Sequence, residues 1–282
     1  MSNASKLINN AHLWDITKAP CSWRGVTCSS GNSSVTKISL SGFSLNSSDF
    51  LPLLCQIDSL ESLDISKSQL PSIPNEFITA CAYSYMDWFP SKSLNLSVNH
   101  FTGLIPKNLS SVLEQLQLSV NEFHAYKNQF EGTIPSGITT NLRNLDLSFN
   151  NLSGSIPSDL LSPPKLHTID LSYNLLTGPI PSNISTKLIR LKLGSNSLNE
   201  TIHTSTCGTL QNLMYLELEN NSLTGSVPPD LGSCSNLALL SLAVNSLTGT
   251  LPIQLGNLHH LQVMKLQSNK LIGGIPIEIT QI

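Results

Sequence analysis

Three carboxylates recur at one position of a repeating frame: Asp64, Asp146 and Asp170, each between two large aliphatic residues and two residues ahead of a serine. A column of stacked carboxylates has two possible chemistries, holding a metal ion or moving protons, and either needs a partner group within hydrogen-bond reach. The commoner state of such a column is a solvated strand face. The seven histidines (12, 100, 124, 167, 203, 259 and 260) are scattered and supply no partner motif. The chain has no H-E-x-x-H, no G-x-S-x-G, no phosphate-binding loop and no dinucleotide fingerprint. The sequence therefore names no catalytic residue, no cofactor and no metal ligand, and the chain is expected not to be an enzyme.

A second set of residues suits recognition. Phe149, Tyr173 and Tyr215 recur among Asp170, Arg190, Lys192 and Glu217, all at variable positions of the repeating frame. Aromatics flanked by charges are the side chains that most often dominate binding energy. These seven are the candidate ligand-binding patch, with ordinary solvated positions as the alternative.

The element that must position them is a repeated sentence. From Leu142 it reads L-x-x-L-x-L-x-x-N-x-L-x-G-x-I-P-x-x-L, and it starts again 24 residues later at Leu166. A fixed period of this size marks a solenoid, and this pattern is the leucine-rich repeat. Aligning the central aliphatics gives ten coils, centred on Ile38, Leu63, Leu94, Leu116, Leu145, Ile169, Leu191, Leu216, Leu240 and Met264. Alternation turns the leucines inward and the x residues onto a concave parallel sheet. Asn99, Asn121, Asn150, Asn174, Asn196, Asn221, Asn245 and Asn269 fall where the chain leaves the strand. There an amide can pair the backbone groups of a buried bend. The first two coils carry Phe43 and Ser68 instead. Gly and Ile-Pro shape the return path, where some coils are expected to hold a 3₁₀ turn rather than a full helix. The class expected is an α/β solenoid, with an N-terminal helical cap over residues 1–34 and repeats over 35–282.

The charge of −3, with only 12% charged residues, gives no argument for nucleic acid or an anionic membrane. No apolar run is long enough to span a bilayer. The start, Met1 to Lys6, lacks the apolar core of a signal peptide, and the chain stops at Ile282 inside a repeat. The expectation is a protein that continues, or a truncated product.

Six cysteines do not fix their own pairing. Cys21 and Cys28 lie seven apart before the first repeat and read as a staple. Cys55 and Cys81 lie about one period apart, so adjacent coils could bring them together. Cys207 and Cys234 sit at different repeat positions and read as two buried free thiols. Nine N-x-S/T sequons, at Asn3, Asn32, Asn46, Asn95, Asn108, Asn151, Asn183, Asn199 and Asn220, favour the secretory route. Glycans on Asn95 or Asn220 would block the concave face locally.

Two stretches break the period. Residues 79–93 crowd Tyr83, Tyr85, Trp88 and Phe89 into one long step, reading as a partner-contacting loop, a degenerate coil or a gene-prediction artefact. Asn121-Glu122-Phe123 returns as Asn128-Gln129-Phe130, reading as a local duplication that bulges from one coil.

The tails Gly103-Leu-Ile-Pro106, Gly132-Thr-Ile-Pro135, Gly225-Ser-Val-Pro228 and Gly249-Thr-Leu-Pro252 resemble the plant-specific extracellular leucine-rich repeat. Cys21-x-Trp23-x-Gly25-Val26-x-Cys28 is similar to the N-terminal cap of plant leucine-rich repeat receptor kinases and receptor-like proteins. The resemblance implies a right-handed superhelical ectodomain, at the outer side of the plasma membrane or secreted to the wall. It would bind a peptide, a small ligand or a co-receptor of the same repeat class. In that family a membrane span and a kinase can follow; the kinase motifs are absent here. Arg190 and Lys192 resemble the paired arginines with which some members hold a peptide carboxylate, with Lys in place of the second Arg. The alternative resemblance is to the secreted polygalacturonase-inhibiting proteins of plant defence.

Overall fold

The computed structural model describes residues 17–31, 34–54, 57, 59–74, 93–106, 122–203 and 210–281. By contacts the chain divides into Met1–Phe130 and Glu131–Ile282. In the first unit a 3₁₀ turn at Pro20–Ser22 leads into β1 (Val26–Cys28), β2 (Val35–Ser39), a one-turn helix α1 (Leu51–Leu54), β3 (Ser62–Asp64), β4 (Ser93–Asn95), β5 (Thr102–Leu104) and β6 (Glu122–His124). β1 runs antiparallel to β2, with Val26 opposite Ile38. β2, β3, β4 and β6 are parallel and in register, so that Ile38, Leu63, Leu94 and Phe123 stand side by side. All four are buried.

The cap is closed by the Cys21–Cys28 disulfide, which holds β1 at the end of the ladder. Gly25 in the C-x-W-x-G-V-x-C stretch has φ +82°, and a Cβ there would fall on the Ser39 carbonyl. Only glycine lets the cap approach β2 this closely. Residues 1–16, where the cap helix is expected, and the aromatic run from Tyr83 to Phe89 lie outside the described residues.

The second unit continues from β7 (Gln129–Gly132) with β8 (Asn144–Asp146), β9 (Asn151–Ser155), β10 (Thr168–Asp170), β11 (Leu175–Gly178), β12 (Arg190–Lys192), β13 (Ser197–Leu198), β14 (Tyr215–Glu217), β15 (Leu239–Ser241), β16 (Thr248–Gly249), β17 (Val263–Lys265) and β18 (Lys270–Leu271). Here β8, β10, β12, β14, β15 and β17 form the parallel ladder, again in register. The shorter strands β9, β11 and β13 pair as a second sheet behind the asparagine bend. The return segments carry 3₁₀ turns at Pro229–Ser233, Ile253–Asn257 and Ile279–Gln281, as the Pro-rich tail implied. Among the described residues α-helix is confined to α1.

Asn99, Asn174, Asn196, Asn221, Asn245 and Asn269 work in the same way. Asn174 Nδ2 donates to the carbonyls of Leu171 in its own coil and Leu147 in the preceding one, both at 3.0 Å. Its Oδ1 accepts from the Leu152 amide at 3.0 Å. The sequence placed Asn121 in this ladder and Leu116 on its strand. Both lie outside the described residues, and β6 with Asn128 fills the role: Asn128 Nδ2 donates to Leu96 and Ala125, and Oδ1 accepts from Phe101. The second copy of the duplication is therefore the coil itself and not a bulge from it. At Ser68, where asparagine is missing, the buried hydroxyl has no hydrogen-bond partner.

Cys234 is fully buried and disulfide-bonded, which corrects the reading of it as a free thiol. Cys55, Cys81 and Cys207 lie outside the described residues.

Candidate functional site

The ladder registers decide which side chains meet. In the second unit Thr168, Arg190 and Tyr215 are cross-strand neighbours, and so are Asp170, Lys192 and Glu217. Side chains so paired touch across the strand spacing of about 5 Å. The second row alternates acid, base, acid. Lys192 Nζ lies 3.3 Å from Asp170 and 3.9 Å from Glu217. Burial lowers the Lys192 pKa, but the two carboxylates outweigh it and the net direction is up. Glu217 is also raised, chiefly by burial, with Lys192 opposing and Glu219 and Asp170 adding.

Arg190 does not join Lys192 in a clamp. Its guanidinium sits 4.4 Å from the centroid of the Tyr215 ring, a cation–π contact. Lys192 is held by its carboxylate neighbours, so this pair is arranged differently from two free cations awaiting a carboxylate.

Phe149 and Tyr173 occupy the residue just before the ladder asparagine, with φ of 54° and 56°. That left-handed conformation is costly for bulky residues. It leaves their rings on the strand face, 42% and 53% exposed, stacked with centroids 4.2 Å apart and planes 8° from parallel. Two exposed rings locked face to face form a platform, and the charged row lies beside it.

The carboxylate column has a structural task. Asp146 Oδ1 accepts from the Ser148 amide and hydroxyl at 3.0 and 2.7 Å; Asp170 does the same with Ser172, and Asp64 holds the Ser66 amide. These bonds close the bend that leads to the left-handed residue. Among the described residues no group of three or more His, Cys, Asp or Glu is placed to hold a metal, and no helix is long and apolar enough to cross a membrane.

Glu219, on the same strand face by its place in the repeat, was left out of the candidate patch. It lies across Gly194, where a Cβ would come within 2.8 Å of its carboxylate, and its Oε2 is buried without a hydrogen-bond partner. The signal was available: Gly194 stands where neighbouring coils have Ser148 and Ser172. Of the sequons, Asn46, Asn151, Asn183, Asn199 and Asn220 are exposed and Asn95 is half-buried; Asn3, Asn32 and Asn108 lie outside the described residues.

The Leucine Rich Repeat sequence family matches residues 92–112, 141–162, 165–186 and 212–234, the coils whose ladder has just been described. These coils are leucine-rich repeats. No curated protein sequence matches it. Among solved structures, this leucine-rich repeat chain is similar to the Arabidopsis receptor kinase HAESA, solved in complex with the peptide hormone IDA and the co-receptor SERK1. The two are 28% identical with a TM-score of 0.73, over 99% of this chain and 52% of that one. A second HAESA ectodomain structure, with an extended IDA peptide, gives 29% identity and a TM-score of 0.71. A plant ice-binding protein is 25% identical with a TM-score of 0.76, over 98% of this chain and 87% of that one. The chain thus spans about half the length of the receptor chains it matches. Its fold is similar to that of these plant receptor kinase ectodomains.

Proposed function

We propose that this leucine-rich repeat chain is an extracellular recognition module of a plant cell-surface receptor, and that it binds a peptide, a small ligand or a co-receptor on the strand face of Glu131–Ile282. The observation that carries the reading is the exposed Phe149–Tyr173 stack beside the Asp170–Lys192–Glu217 row and the Arg190–Tyr215 pair. Rings of this kind exclude water on one side while charges beside them set orientation. The similarity to an ectodomain solved with a peptide hormone and a co-receptor supports it. The test is retention of plant apoplastic peptides on the immobilised chain, read by mass spectrometry against a Tyr173→Ala/Arg190→Ala double variant. Peptides retained by the native chain and lost by the variant support the site; equal retention sinks it.

A second reading is a secreted, self-contained protein resembling the polygalacturonase-inhibiting proteins. It is favoured by the match to a plant protein of which this chain covers 87%. Inhibition of a fungal polygalacturonase by the purified chain tests it, and full enzyme activity at saturating chain rejects it.

A further inference from the structure

The Glu131–Ile282 unit carries a second surface, on the flank where the chain enters each ladder strand. A groove of about 320 Å³ runs there, with Ile189, Met214 and Ala238 alternating with Asn212, Asn236 and His260 along its lining. The first three immediately precede a strand, and the other three lie two residues earlier. Asn212 and Asn236 are pinned through Nδ2 to carbonyls of the preceding coil, Thr186 and Gln211, which leaves each Oδ1 as an acceptor. The lining is thus apolar patches framed by fixed amides.

The same two positions in the preceding coils hold Arg143 and His167, and Lys165 and Lys187. An unbroken series of backbone bonds ties the column together: His167 to Arg143, Ile189 to His167, Met214 to Ile189 and Ala238 to Met214, at 2.7–2.9 Å. The groove therefore continues into a strip of basic residues with no carboxylate in either column. Lys165 and Lys187 are exposed, and no ion pair involves them or Arg143 among the described residues. Arg143 Nε is buried without an acceptor, a donor left waiting. No sequon falls among the groove or strip residues.

A ligand that fits must carry repeated negative charge, apolar faces and hydroxyl edges along one line. We propose that this flank binds a linear acidic polysaccharide of uronic-acid units. Its carboxylates lie on Arg143, Lys165 and Lys187. The C–H faces of its rings lie on Ile189, Met214 and Ala238, and its hydroxyls donate to Asn212 and Asn236. One carboxylate recurs per sugar ring, a step comparable with the rung spacing of about 4.8 Å. The proposal rests on the extracellular reading above but not on the strand-face site.

The experiment is calorimetric titration with a purified oligogalacturonide at two ionic strengths, with neutral galactan as control. The native chain binds the oligogalacturonide more tightly at low salt and does not bind galactan. Lys165→Glu/Lys187→Glu, both at exposed positions, weakens binding at least about tenfold and flattens the salt dependence, with an unchanged melting profile verifying the fold. Tyr173→Ala/Arg190→Ala keeps oligogalacturonide binding, so failure of the strand-face reading leaves this one standing. No binding at low salt, unchanged affinity in the lysine variant, or equal affinity for polyphosphate or anionic phospholipid vesicles overturns the proposal.

Discussion

At the scale of single residues, the strand face is built from side chains the fold does not favour. Phe149, Tyr173 and Val244 all sit at positive φ, where a non-glycine residue costs roughly 1–2 kcal/mol. For the two aromatics, their one shared stack returns about 0.5–1.5 kcal/mol, which offsets about one of the two costs. Val244 has no such return. Val244→Asn, which tolerates the conformation, is expected to stabilise the chain by about 1 kcal/mol in urea denaturation, whereas Tyr173→Asn should be close to neutral. Truncating Tyr173 to Ala should cost the ligand about 2 kcal/mol, roughly a thirtyfold loss of affinity, once a retained peptide is available for titration. The Glu217 carboxyl, raised above its ordinary 4.5 by burial, binds more protons folded than unfolded. Its contribution is therefore most favourable at low pH and declines as pH rises from 4.5 toward the raised value. Glu217→Gln should remove that decline from a stability–pH profile; an unchanged slope would mean the burial effect is absent. Lys192, raised above 10.5, has the same sign of consequence in a different window: its stabilisation persists through neutral pH and is lost only as pH rises above 10.5.

At the scale of elements, the asparagine bend does most of the holding. Asn174→Ala removes bonds to Leu147 and Leu171 and leaves the Leu152 amide unpaired. At about 1–3 kcal/mol for each buried group left bare, a loss of about 3 kcal/mol is expected in urea denaturation. This layer of the molecule was plainly legible: leucine alternation fixed inside and outside, and the asparagine marked the bend. It failed at Asn121 because Asn-x-Phe occurs twice within seven residues, and spacing alone cannot say which copy closes the coil. The candidate patch was legible as a list but not as an arrangement. Cross-strand register put Lys192 between two acids and Arg190 over Tyr215, and neither follows from their sitting on one strand. Glu219 was left out of the patch because its significance lies in the missing side chain of Gly194. Cys234 was misjudged because repeat position alone says little about where two sulfurs lie in space.

At the scale of the whole molecule, stability in a repeat protein is local, each coil leaning on its neighbours. The Cys21–Cys28 staple should therefore act on its own end. Cys21→Ser/Cys28→Ser is expected to cost about 2 kcal/mol and to raise amide exchange in Met1–Phe130 while leaving Glu131–Ile282 unchanged; uniform loss of protection would show a single cooperative block instead. The in-register ladder has one further consequence. Its rungs repeat every 4.8 Å or so, while an extended peptide advances about 3.4 Å per residue. A peptide laid across the rungs would drift in and out of step with them like the two scales of a vernier, and five rungs match about seven residues. From β8 to β17 there are five such steps. One full beat fits, so an extended segment of about seven residues laid across the ladder would come back into step once, at its far end.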